Sequence, residues 1–107
     1  MTTQTTAERD AFLDAGHAVI VELRDRLDVP EGAVVSSVAH PLHPILHVVH
    51  SGRHWVVTCR PGWSGSVVMV LTEYAAHRSV STLTTEHVTS VADEIHRRAC
   101  IAAGISA

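Results

Sequence analysis

The sequence predicts an α+β sandwich of two layers: an N-terminal helix, an antiparallel meander of four to five strands, and a C-terminal helix. Three observations carry this. Apolar residues recur at helical spacing near both ends of the chain. The middle consists of β-branched runs of strand length. The connections between those runs are short, which favours antiparallel neighbours with the helices segregated to one face. The 107 residues are read as a single α+β domain, 1–107, with the polar residues 1–5 expected to fray.

Helix one is predicted over residues 6–28. Thr5 and Glu8 fit a capping box, in which the two side chains satisfy free backbone N–H groups. Phe12, Gly16, Val19, Ile20, Leu23 and Leu27 then form an apolar stripe, and Pro30 and Gly32 stop the helix. A first strand is expected in the β-branched run Ala33–Ala39, and the next two over Ile45–His50 and His54–Cys59, joined by a Ser51-Gly52 turn. A loop follows over residues 60–65, in which Trp63 is either a lid over the core or an exposed contact. Ser66–Tyr74 is the strongest strand, and Ser79–Leu83 adds a short edge strand. The second helix is expected to be capped by Thr84, with Leu83 stapled on Val88 and Glu86 in its positive first turn. Val88, Val91, Ala92, Ile95, Ala99 and Ala102 form its apolar stripe, Arg97 and Arg98 lie towards its negative end, and Gly104 ends it.

Composition narrows the function. Hydrophobic residues make up 46% and charged residues 18%, so the chain can pack a core. No apolar run approaches the roughly 20 residues of a membrane helix. The segment MTTQTTAERD lacks the basic and apolar regions of a signal peptide, and a cytoplasmic protein is expected. Cys59 and Cys100 have no CxxC partner and read as reduced, buried residues. Lysine is absent, the formal charge is −3, and Arg97-Arg98 is the only adjacent basic pair, so nucleic acid is not an expected partner.

Histidine is abundant instead. Protonating all nine would move the formal charge from −3 to −3 + 9 = +6. Five of them, His40, His43, His47, His50 and His54, are spaced three, four, three and four apart, as if on one helical stripe. Pro41 and Pro44 forbid that helix, because proline removes a donor and forces its predecessor towards extended geometry. In a hairpin turning at Ser51-Gly52, Val49 pairs with His54, His47 with Val56, and Ile45 with Thr58. His47 and His54 are then diagonal neighbours about 7–8 Å apart in the backbone, near enough for two imidazoles to converge. His43 shares their parity but lies about 13 Å along the strand from His47, and it reaches the same ion only if Pro44 bends the chain. His40 and His50 point elsewhere. Two ligands fall short of the three or four a zinc site uses. His47, His54 and His43 are therefore metal candidates only, and no cofactor is expected.

Other signals are weak. GWSGS from Gly62 departs from the nucleophile elbow at its last position, Ser66, and no GKS/T completes a phosphate loop. Glu73 is the only acid in a confident strand, and no carboxylate pair for acid/base work is visible.

What remains is the sheet, which is apolar on both faces. Leu46, Val48, Trp55 and Val57 are expected to face the helices, with Ile20 and Ile95 packing there, because Trp55 has the largest apolar area to hide. Ile45, His47, Val49, His54, Val56 and Thr58 fall on the opposite face. A second apolar face calls for a second covering surface. The leading expectation is a small non-catalytic binding or accessory module that acts through protein–protein contact, as a homodimer or with another protein, through those six residues. The alternative is a small enzyme or transition-metal-binding protein using the His47/His54 region.

Overall fold

The computed structural model describes residues 6–39 and 42–104. The expected fraying of residues 1–5, the Thr5 cap and the direction of His40 lie outside that range. The chain runs α1 (Thr6–Arg26), β1 (Val34–Ser37), β2 (Ile45–His50), β3 (Arg53–Pro61), a 3-10 turn (Trp63–Gly65), β4 (Val67–Ala75), β5 (Arg78–Thr85) and α2 (Val88–Ala102). The five strands form one sheet in sequence order, each antiparallel to the next. Both helices pack on one face, which is the predicted α+β arrangement.

The hairpin register follows from its turn. Ser51 and Gly52 both have positive φ, 50° and 77°, the backbone of a two-residue turn whose twist matches that of its strands. Val49 pairs with His54, His47 with Val56, and Ile45 with Thr58 as expected. One face of the sheet then supplies Leu46, Val48, Trp55, Val57, Cys59, Met69 and Leu71 to the core, all buried. Against them α1 places Ile20 and Leu23, and α2 places Val91, Ile95 and Ala99, also buried. Gly16 of α1 sits over Pro44, and a Cβ built there would meet the proline ring at 2.6 Å.

The second half of the chain departs from the sequence reading in two places. Thr84 does not cap α2. It lies in β5, paired with Val70, and β5 extends to Thr85. The capping position is His87, whose side chain makes no cap hydrogen bond, and Glu86 precedes the helix rather than entering its first turn. A β-branched residue with a valine opposite it gains more from the strand ladder than from a cap three residues early. The staple of Leu83 on Val88 goes with the cap it needed, although both residues pack against the core. Trp63 is no lid over the core: it is 92% exposed.

Candidate functional site

The helices leave the other sheet face uncovered. By register it carries Val34 and Ser36 of β1, Ile45, His47 and Val49 of β2, and His54, Val56 and Thr58 of β3. Val68, Val70, Thr72 and Tyr74 of β4 continue it, and Thr82 and Thr84 of β5 close it. Val34 and Val49 are open aliphatic side chains on it, at 62% and 45%. Ile45, Val56, Val68 and Val70 are half-buried by their neighbours. The middle of the face has no carboxylate and no arginine; Arg60 stands at one end, opposite Val68.

The six residues expected on this face are all on it, and two of them touch. His47 Nδ1 and His54 Nε2 are 2.9 Å apart. Their rings stack with centroids 5.1 Å apart and planes at 21°. One nitrogen must donate and the other accept, so the contact cannot form between two charged rings. Burial, and secondly the neighbouring His47, hold the His54 pKa below the ordinary 6.5. Tyr74 continues the row, its ring centroid 6.0 Å from that of His54. A shallow depression of about 500 Å³ opens beside them, lined by Gly52, His54, Val56, Tyr74, Ala76 and His77.

His43 is not brought to this pair. Its Nε2 hydrogen-bonds the Cys59 carbonyl at 3.0 Å, and its ring packs on Phe12 of α1, 5.9 Å between centroids. Pro44, fully buried under α1, turns this segment towards the helix layer. Among the described residues no group of three or more histidine, cysteine or acidic side chains is arranged to hold a metal ion.

A charged cluster on the helix side was not legible as a unit. Glu73 accepts hydrogen bonds from the Trp55 indole N–H at 2.8 Å and from Arg53 at 2.8 Å, and Arg98 approaches it at 3.8 Å. Arg98 also bonds Glu94 at 2.9 Å and Ser81 at 2.8 Å, and Arg97 bonds Glu94. Burial raises the Glu94 pKa, but the bonds from Arg98 and Arg97 outweigh it and hold the carboxyl below 4.5. Every charge here has an opposite partner, and the cluster satisfies the buried Trp55 N–H.

Neither thiol is set up for chemistry. Cys59 lies in the core, and burial pushes its pKa up to about 11. Cys100 Sγ lies 3.8 and 3.9 Å from the two ring nitrogens of His96. Equal distances to both nitrogens place the sulfur beside the ring rather than along one lone pair. His96 Nδ1 is engaged instead with the Asp28 carbonyl at 2.6 Å.

Comparison with protein-family models, curated proteins and solved structures returns no match. No helix among the described residues is long and apolar enough to cross a membrane.

Proposed function

We propose that this chain is a small non-catalytic binding module, regulatory or accessory, that acts through protein–protein contact, and that its uncovered sheet face pairs with a second copy of the chain. The observation that carries the reading is the apolar second face of the sheet, which neither helix covers. Its charge pattern favours a like partner. A face without acids or arginines in its middle attracts no strongly charged surface and does not repel a copy of itself. Its size is adequate. Strands about 4.8 Å apart, in a five-stranded sheet, make a face of the order of 500–600 Å² in projection. Side-chain relief raises the accessible area towards the roughly 800 Å² per partner of a standard interface.

The test is the oligomeric state at about pH 7.5, measured by light scattering for the wild type and a Val49→Asp, Val56→Asp double variant. The expected result is a wild-type dimer and a folded monomeric variant. A monomeric wild type would refute the pairing.

The His47–His54 contact favours one second reading, a transition-metal site or small enzyme centred there. Its two nitrogens are 2.9 Å apart, and His54 lines a depression on the same face. It would need ligands from outside the pair, since two imidazoles leave a tetrahedral ion half-coordinated. Metal analysis of untagged protein separates the two readings.

A further inference from the structure

We infer that the paired faces are locked by Trp63 of each copy seating in the depression beside His54 and Tyr74 of the other, an inference that rests on the self-pairing proposed above. Trp63 is 92% exposed, yet its loop is tied. The Gly62 N–H donates to the Ser66 carbonyl at 2.8 Å, and the Ser66 N–H to the Trp63 carbonyl at 3.1 Å. The Ser66 hydroxyl donates to Glu86 at 2.6 Å. Ser64, not a glycine, is held at φ 56°, and a Cβ on Gly62 would collide with Ser66 and Val68. A fixed loop that presents an uncovered indole has little ordering entropy left to lose on binding, and tryptophan is the residue type most often found as an interface anchor.

The depression is the matching hole. It lies on the uncovered face, is walled by the His54 and Tyr74 rings, and at about 500 Å³ has room for an indole. Knob and hole are at opposite ends of the same strands. β3 leaves the depression at His54 and reaches the Trp63 loop after Pro61, and β4 returns from Val67 to Tyr74. The seven residue steps from His54 to Pro61 span about 23 Å. A two-fold axis between the sheets and across the strands reverses strand direction at the interface. It therefore lays the Trp63 end of each copy over the depression end of the other, making the contact twice. An axis along the strands would set Trp63 against Trp63 and leave both depressions empty.

The experiment uses the full chain at about pH 7.5. Sedimentation over a dilution series gives the dimer Kd of the wild type, Trp63→Ala, Tyr74→Ala and the double variant. Acrylamide quenching of the Trp63 emission, taken as wild type minus Trp63→Ala, is followed over the same dilutions. Circular dichroism verifies that each variant is folded. The expected results are a Kd raised at least about tenfold by Trp63→Ala, a double variant weakened by less than the product of the two single effects, and Trp63 shielded from acrylamide in the dimer alone. A dimer in which Trp63 stays fully quenchable, or a Trp63→Ala dimer as tight as wild type, overturns this inference and leaves the self-pairing standing. Independent, fully multiplicative effects of Trp63→Ala and Tyr74→Ala place the indole elsewhere and also overturn it. A wild type that is monomeric at every concentration removes the self-pairing and this inference together.

Discussion

His47 Nδ1 and His54 Nε2 lie 2.9 Å apart across the β2–β3 hairpin, a contact open to two neutral rings but not to two charged ones. The His54 pKa is held below 6.5 by burial and then by His47. The unfolded chain therefore takes up this proton at higher pH than the folded chain. The stabilising contribution is complete above about pH 6.5 and is lost as pH falls towards the folded value. An NMR titration should place His54 below the ordinary histidine range. Between about pH 7.5 and about pH 5.5, Tm should fall further for the wild type than for His54→Gln. Equal falls would contradict the assignment. Protonation on the uncovered face should also weaken self-association over the same range.

Glu73 accepts the hydrogen bond of a fully buried tryptophan, Trp55. Glu73→Ala leaves that N–H and Arg53 without their acceptor, at a cost of about 1–3 kcal/mol. Glu73→Gln keeps an oxygen for the indole and should cost less. Urea unfolding measures both. Equal losses for the two variants would show that the indole bond contributes nothing.

Gly16→Ala tests how closely α1 sits on the sheet. Alanine in an ordinary helix interior gains about 1 kcal/mol over glycine. Here the new Cβ would meet the rigid ring of buried Pro44 at 2.6 Å, and overpacking of this kind costs about 1–3 kcal/mol. Tm should fall. A rise would mean that the helix shifts away without penalty.

Metal removal should do nothing to stability. His43 is committed to the Cys59 carbonyl, and His47 and His54 supply only two ligands. Dialysis against EDTA should leave Tm unchanged within error. A drop of several degrees would favour the metal-site reading instead.

The parts legible in the sequence were those governed by local chemistry. Ser51-Gly52 set the hairpin register, and that register put six named residues on one face. Pro41 and Pro44 excluded the helical histidine stripe, and Gly104 marked the end of α2, where its φ is 74°. The parts that were missed depend on pairing between segments. Ala76 and His77 form the β4–β5 turn with φ 50° and 65°, a backbone usually advertised by glycine or asparagine. Without that signal β5 looked shorter and Thr84 looked free to cap. Glu73 looked isolated because its neighbour Trp55 is set by the β3–β4 register across the Trp63 loop. His43 has the parity of His47, but only the packing of Pro44 under α1 decides where its ring goes.

The uncovered sheet face is proposed to cover a second copy of itself. The most direct measurement mixes isotope-labelled and unlabelled protein and records only NOEs between copies. The predicted result is cross-copy contacts from the methyl groups of Ile45, Val49, Val56 and Val70. Cross-copy contacts confined to the helix layer, or a wild type that is monomeric by light scattering at every concentration and shows no such contacts, would contradict it.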